Sequence, residues 1–105
     1  MDKTDISEKS VETALVVAVQ HRGGRCWKWT SPSRVGVPDR IVLLPGGRVA
    51  FVELKAPGKV PRLSQVTTHR IIDALGFIVE TIDSKDKIEP FLDRVEGKSD
   101  AVHTS

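Results

Sequence analysis

The sequence predicts an α/β fold in which a mixed sheet is flanked by helices, with its elements in the order α-β-β-β-α-β-α. Three observations lead to this order. Two apolar, β-type runs are separated by a Pro-Gly-Gly turn at 45–47, which indicates a hairpin over 39–55. Segments with helical spacing of apolar residues lie before and after this hairpin, and a further β-type run follows the second of them. The chain of 105 residues suits one domain with one core.

Helix-capping residues, turns and helix-breaking residues set the boundaries of these elements. A capping-box pattern at 5–8 starts the first helix, Gly76 stops the second, and Pro90 is expected to kink or shorten the third. Trp27 and Trp29 fall on one face of the first strand, because side chains alternate along a strand. The expected elements begin with a helix that has apolar residues at 11–19 and ends near Gly23-Gly24, followed by strands at 25–30, 39–44 and 48–55. A helix at 64–75, a strand at 77–82 and a helix at 84–95 come next. The domain is expected to cover 1–95, with a loose tail at 96–105.

The composition excludes several classes of protein. The longest apolar run, at 14–19, is far too short to cross a bilayer, and the polar N-terminus lacks the apolar segment of a secretory signal. Cys26 is the single cysteine, so neither an intramolecular disulfide nor a cysteine-based zinc cluster is expected. These features fit a reducing cytoplasm, which is the host's cytoplasm if the protein is encoded by a phage.

Positive charge is concentrated in the middle of the chain. Residues 22–70 hold ten of the sixteen Lys and Arg residues, but only two of the fourteen acids, Asp39 and Glu53. A basic middle suggests a polyanionic partner, whereas chance clustering on a solvated surface is the alternative. The two acids within this basic stretch therefore need an explanation.

The two acids are predicted to come together at one end of the hairpin. Glu53 and Lys55 are two residues apart on a strand, so they share a face. Asp39 opens the preceding strand, and the turn folds it back beside Glu53. Two such carboxylates repel unless a cation lies between them, and carboxylate-rich oxygen sites suit Mg²⁺ or Mn²⁺. A metal of this kind activates water, and a neighbouring lysine can orient the nucleophile or stabilise developing charge.

Glu12 is a third candidate acid, because it lies on or beside the apolar stripe of the first helix, where a carboxylate needs a metal or a basic partner. Each residue also has a simpler interpretation. Glu53 and Lys55 could form a surface ion pair or protect an edge strand, Asp39 could be a turn residue, and Glu12 could face solvent. The joint pattern is far more specific than its parts.

Three motifs carry a resemblance to a known family. GVPDR at 36–40, ELK at 53–55 and Leu63-Ser64-Gln65 at the start of a helix resemble the VRR-NUC family of the PD-(D/E)XK nuclease superfamily. The resemblance covers roughly residues 8–93 and includes the order of the elements. It implies a restriction-endonuclease-like core and a Mg²⁺- or Mn²⁺-dependent endonuclease that hydrolyses DNA.

The resemblance also implies roles for individual residues. Asp39, Glu53 and the backbone carbonyl of Leu54 are expected to bind the metal, and Glu12 to complete or support the site. Lys55 is the expected catalytic lysine, and Gln65 matches the family's glutamine near the start of the helix after the ELK strand, so it is also expected to take part in catalysis. The family often has an aromatic residue soon after that glutamine, and here His69 takes the i+4 position, as a contributor or as an exposed helix residue. Plausible phosphate contacts come from the two loops that border the site, at Ser33, Arg34, Lys59 and Arg62.

The resemblance to small members of this family implies that the protein is a Holliday-junction resolvase that acts as a homodimer. Two active sites related by a two-fold axis would match the symmetry of a four-way junction. The expected dimer surface is either the face of Trp27 and Trp29 or the apolar excess of the 11–19 helix. The rival functions are a flap-type or other structure-specific nuclease, a non-catalytic nucleic-acid-binding module, and a factor whose basic surface binds acidic protein.

Overall fold

A central hairpin organises a four-stranded sheet of order β1-β2-β3-β4. The computed structural model describes residues 7–97. The first three strands are antiparallel neighbours and the last pairs parallel with β3, so the sheet is mixed as predicted. The elements are α1 (Glu8–His21), β1 (Arg25–Lys28), β2 (Arg40–Leu44), β3 (Arg48–Leu54), α2 (Leu63–Ala74), β4 (Ile78–Ile82), a 3₁₀ turn (Lys85–Lys87) and α3 (Ile88–Val95). The predicted order α-β-β-β-α-β-α is confirmed.

The hydrophobic core lies between one face of the sheet and the helices α1 and α3. Helix α1 buries Val11, Leu15 and Val19, which recur at the four-residue spacing of one helical face. Opposite them, alternate residues of the hairpin such as Val42 and Val52 are fully buried. Complete burial of one such aliphatic side chain contributes about 1.5–3 kcal/mol, so this layer holds the hairpin rigid.

Helix α1 starts at a different cap from the predicted one. Its N-cap is Ser7, whose hydroxyl accepts a hydrogen bond of 3.1 Å from the backbone N–H of Ser10. Serine caps a helix as well as aspartate does, so the sequence offered two closely spaced starts. Asp5 and Ile6, in the predicted capping box, lie outside the described residues.

Two other elements differ from the predictions by more than a shift of one residue. Strand β1 ends at Lys28, although the Trp29 N–H still donates to the Asp39 carbonyl at 2.8 Å. The helix predicted at 84–95 is divided into a 3₁₀ turn and α3. Pro90 lies in the first turn of α3, where its missing N–H removes no intrahelical bond, and the α-helical part is shorter than predicted, Ile88–Val95.

The end of α1 is fastened to α3 by an ion cluster. Arg22 contacts Glu96 at 2.9 Å and Asp93 at 3.0 Å, and it also pairs with Glu89. Glu96 begins the predicted tail, yet it caps α3 and belongs to this packed cluster. The remainder of the predicted tail, 98–105, lies outside the described residues. Within residues 7–97, no helix is long and apolar enough to cross a membrane.

Helix α2 covers part of the opposite face of the sheet, and the loop before β2 packs against its first turn. Gly36 makes this approach possible with a positive φ of 87°. A Cβ atom at Gly36 would lie only 2.4 Å from the carbonyl oxygen of Ser64 in α2. Glycine is therefore required at this position both by the backbone conformation and by the space available.

We expect Gly36→Ala to destabilise the fold more than Gly58→Ala, measured as the free energy of unfolding in urea. Gly58 also has a positive φ, of 81°, but a Cβ there meets no atom within 4 Å. The control substitution should cost about 1–2 kcal/mol from backbone strain alone. Gly36→Ala should cost about 1–3 kcal/mol more, because the loop must move away from α2. Equal losses would show that the loop does not press on the helix.

Candidate active site

The hairpin brings Asp39 and Glu53 to the same end of the sheet. The last cross-strand pair joins Arg40 to Val52, and the two acids are the next residues outward on their strands. The Asp39 carboxylate accepts a hydrogen bond of 2.8 Å from the backbone N–H of Leu54. This bond fixes Asp39 against β3, so the predicted meeting of the two acids is confirmed.

Glu53 is a buried carboxylate near the end of the inner strand β3. Its residue surface is only 2% exposed. The Oε2 atom accepts a hydrogen bond of 2.7 Å from the Gln65 side-chain amide and lies 3.2 Å from the Lys55 ammonium. The buried Oε1 atom has no hydrogen-bond partner among residues 7–97. One carboxylate oxygen of Glu53 is thus satisfied by the protein, while the other is not.

The simpler interpretation of Glu53 and Lys55 does not match their surroundings. Strand β3 has neighbours on both sides, so it is not an edge strand. The Lys55 side chain is only 16% exposed, and its backbone N–H still donates to the Ile82 carbonyl at 3.1 Å. Glu53 and Lys55 therefore neither form a surface ion pair nor protect the edge of the sheet.

Gln65 connects the first turn of α2 to the buried acid. Its side-chain oxygen accepts a hydrogen bond of 2.8 Å from the backbone N–H of Arg62, while its amide nitrogen donates to Glu53. Both ends of the amide are used, which defines its orientation. Gln65 is buried as well, so it acts as a strut that sets the position of the Glu53 carboxylate.

The electrostatics of this cluster favour an added cation. Burial raises the pKa of Glu53, and the nearby charge of Asp39 raises it further, whereas Lys55 and Gln65 act in the opposite direction. Within the described residues, no three Asp, Glu, His or Cys side chains are grouped as a metal site. Two carboxylates with one unsatisfied buried oxygen nevertheless form an oxygen donor set of the kind that Mg²⁺ and Mn²⁺ prefer.

Glu12 has found a basic partner. Its carboxylate lies 2.7 Å from the Arg40 guanidinium and 3.7 Å from the Lys9 ammonium. The hydrogen bond from Arg40 is the main reason that the pKa of Glu12 is lowered. Glu12 lines a cleft of about 200 Å³ together with Asp39 and Leu54. It therefore borders the site, with its charge already neutralised by Arg40.

Arg40 was not among the residues predicted for the site, although the sequence held a signal for it. Arg40 follows Asp39, so on a strand its side chain points to the opposite face, toward α1. The basic middle of the chain is partly neutralised in this way, since acids outside it pair with Arg40 and Arg22. The charge available to a polyanion is smaller than the sequence suggests.

His69 lies on the inner side of α2 and is half-buried rather than exposed. Burial lowers its pKa, the charge of Lys55 also lowers it, and the charge of Asp39 raises it. Its Nε2 atom is buried without a hydrogen-bond partner within residues 7–97. His69 is close enough to sense both charged residues, and its exposed-helix interpretation is wrong.

The residues predicted to contact phosphate lie around the same end of the fold. Ser33 and Arg34 line a cleft of about 490 Å³ between their loop and the first turns of α2. Arg62 is the N-cap of α2, beside Gln65, and its side chain and that of Lys59 are exposed. The structure thus groups two of the four in one cleft and leaves the other two on the neighbouring loop.

The chain is similar to two known proteins. It is 48% identical over 81 residues to a protein named "Putative nuclease p44" from Acyrthosiphon pisum secondary endosymbiont phage 1, and the match spans 77% of this chain and 87% of that protein. A solved structure described as a VRR_NUC domain shares 26% identity and a TM-score of 0.76, over 82% of this chain and 94% of that chain. No family model matches the sequence. The sequence identity and the shared fold show that this chain belongs to the VRR-NUC family.

Proposed function

We propose that this chain is a metal-dependent endonuclease that hydrolyses phosphodiester bonds in DNA. The observation that best supports this proposal is the buried Glu53 carboxylate. One of its oxygens is held by Gln65 and Lys55, and the other has no hydrogen-bond partner among the described residues. A purely structural carboxylate would be expected to have both oxygens satisfied. The similarity to a named phage nuclease supports the same reaction class.

The proposed metal ligands are Asp39, Glu53 and the backbone carbonyl of Leu54, with Glu12 in a supporting position because Arg40 holds its carboxylate. Mg²⁺ or Mn²⁺ bound there would supply an activated water and charge stabilisation at the phosphate. Lys55 is the proposed catalytic lysine, which positions the attacking water and stabilises developing negative charge. Gln65 keeps Glu53 in place while the reaction proceeds, and the exposed cations Arg34, Lys59 and Arg62 hold the DNA.

A four-way junction is the proposed substrate and a homodimer the proposed acting species. A two-fold pair of subunits would present two active sites to opposed strands. The face of the sheet that α2 leaves open offers the surface, since Trp27 is 57% exposed, Phe77 46% and Val49 37%. Trp29 packs against Phe51 with ring centroids 5.2 Å apart and is less available. A flap-type nuclease acting as a monomer is the second candidate.

Cleavage is expected to require Mg²⁺ or Mn²⁺, whereas Ca²⁺ should support binding with little cutting, because its larger and looser coordination aligns the phosphate poorly. Asp39→Ala and Glu53→Ala should reduce cleavage by about 1000-fold. Both should keep or strengthen DNA binding, since an acid is removed beside phosphate. Cleavage assays with metal and with chelator measure the metal requirement and the loss of activity in the variants. Binding assays in Ca²⁺ measure the affinity for DNA.

Asp86→Ala is the matched control, because Asp86 is an exposed acid in the 3₁₀ turn. It should leave both cleavage and binding unchanged. Full cleavage in excess chelator would contradict the metal mechanism. A loss of folding by circular dichroism in the Asp39 and Glu53 variants would instead make these acids structural, and unaltered cleavage by folded variants would show that they are not catalytic.

The raised pKa of Glu53 leads to a prediction for stability in chelator. The folded state holds the Glu53 proton more tightly than the unfolded state, so this group favours folding below the ordinary glutamate pKa. That contribution is lost as pH rises through the raised pKa. Glu53→Gln lacks this titration, and its stability relative to wild type should therefore increase as pH rises. We expect a difference of a few degrees in Tm at neutral pH, since about 1 kcal/mol corresponds to roughly 4–8 °C in a domain of this size.

Added Mn²⁺ should stabilise the wild type and not Glu53→Gln, because binding to the folded state alone raises stability. Glu80→Gln, which removes an acid paired with Arg94 at the surface, should respond to Mn²⁺ like the wild type. Parallel pH profiles of the wild type and Glu53→Gln, or equal stabilisation of both by Mn²⁺, would argue against a cation at Glu53.

We expect a homodimer in solution, measured by sedimentation, that Trp27→Glu disrupts. Loss of a central aromatic anchor typically costs 2 kcal/mol or more, which corresponds to roughly 30-fold in the dimer dissociation constant. Val17→Glu is the matched control, because Val17 is 46% exposed on α1, the other predicted surface. A dimer lost only in the Val17 variant would assign the interface to α1.

A cruciform plasmid tests the junction. The dimer should convert it directly to linear product, because both strands are cut within one complex. A monomer at micromolar concentration that leaves singly nicked circles would contradict the resolvase and support the flap-type nuclease.

A further inference from the structure

A cleft beside the proposed active site has the composition of an anion site. It lies between the loop before β2 and the first two turns of α2, and its volume is about 490 Å³. Its polar lining is one arginine and four hydroxyl groups, from Ser33, Arg34, Ser64, Thr67 and Thr68, and it contains no acid. A surface rich in donors and free of carboxylates suits phosphate oxygens.

Arg34 is fixed in this cleft by its Nε atom alone. Nε donates to the Thr68 hydroxyl at 3.2 Å, and that hydroxyl donates to the Val35 carbonyl at 2.8 Å. Neither terminal nitrogen of Arg34 has a hydrogen bond or an ion pair within residues 7–97. By contrast, Arg22 and Arg40 are both neutralised by acids. Arg34 therefore presents a positioned, unpaired guanidinium fork, the geometry that suits a bidentate contact to phosphate.

The hydroxyl groups of Ser33, Ser64 and Thr67 are also without side-chain partners in the described part of the chain. Ser64 and Thr67 are three residues apart on a helix, so they lie on one face beside Arg34. The tight packing of Gly36 on Ser64 holds the loop and the helix together. The donors of the cleft thus come from two elements whose separation is fixed.

Two aliphatic side chains form the rim of the cleft. Val35 is 72% exposed and Leu63 is 80% exposed, and they come from the two opposite walls. Single exposed aliphatic residues are common on protein surfaces. Two of them on either side of a cationic floor, however, match a ligand that combines an anion with a ring that presents C–H groups, as a deoxyribose-phosphate unit does.

We propose that this cleft binds one sugar–phosphate unit of the substrate strand, separate from the unit that is cleaved. The inference rests on the proposed nuclease function and deepens it. Arg34 and the hydroxyl groups hold the phosphate, while Val35 and Leu63 contact the sugar. Ser64 directly precedes Gln65, which holds Glu53, so the cleft and the catalytic carboxylate share the first turn of α2. A strand seated in the cleft is thereby aligned with the active site.

The test removes single charges from the DNA and measures binding in Ca²⁺, without any need for cleavage. Neutral methylphosphonates are placed one at a time along the strand on both sides of the cut. At the position that occupies the cleft, the wild type should lose about tenfold in affinity. Arg34→Ala should bind unmodified DNA about tenfold more weakly and lose nothing further at that position.

Ser64→Ala/Thr67→Ala should show a smaller reduction in sensitivity at that position, because Arg34 is retained, and alanine is well tolerated in a helix. Arg48→Ala is the matched control, because Arg48 lies at the turn end of the hairpin, away from Asp39. It should respond to every methylphosphonate as the wild type does.

The outcomes separate the two proposals. No DNA binding by the wild type in Ca²⁺ would overturn the proposed function itself. Suppose that binding and cleavage are normal but that Arg34→Ala responds to a methylphosphonate at every position as the wild type does. This result would overturn only the proposal that the cleft binds a sugar–phosphate unit. Saturable binding of inorganic phosphate without DNA that depends on Arg34, combined with an unaltered methylphosphonate profile, would assign the cleft to a free phosphate and also overturn the proposal.

Discussion

The hydrogen bond from Gln65 to the buried carboxylate of Glu53 is the contact on which the candidate site depends. It joins α2 to the central strand β3 at Glu53, the buried acid of the part of the chain that the structure describes. A buried carboxylate is costly unless it is paired or hydrogen-bonded, and Lys55 with Gln65 satisfies only half of it. The fold accepts this cost in a strand whose other face is held by the hydrophobic core, through Ala50, Val52 and Leu54.

The charges of the protein are divided between two roles by the two faces of the sheet. On the side of α1 and α3, arginines are neutralised by acids, as in the pairs of Arg40 with Glu12 and of Arg22 with Glu96, and these contacts fasten helices. On the side of α2, Arg34 is held by a hydroxyl group and keeps its charge available. Local pairing, more than net charge, decides where a polyanion can bind.

The sequence predicted the order of the elements and the meeting of Asp39 with Glu53, because alternation along strands and a tight turn are local rules. It did not predict that Arg40 would neutralise Glu12, since that contact joins residues 28 positions apart on different elements. It also did not identify the cleft beside Arg34, because this depends on how closely a loop without regular structure approaches α2. Helix caps were uncertain for a third reason, namely that neighbouring polar residues can serve equally well.

The way in which α2 is attached has a consequence for how the protein loses activity. Side-chain hydrogen bonds at Gln65 and Thr68 hold the first turns of α2 in place, whereas at its other end Ile71 is 46% exposed and the C-cap residue Leu75 is 71% exposed. A helix held in this way can detach while the core between the sheet and the other helices stays intact. Such local opening would remove the support of Glu53 without unfolding the protein. Inactivation by heat or denaturant should then precede global unfolding, and amide hydrogens of α2 should exchange faster than those of β3.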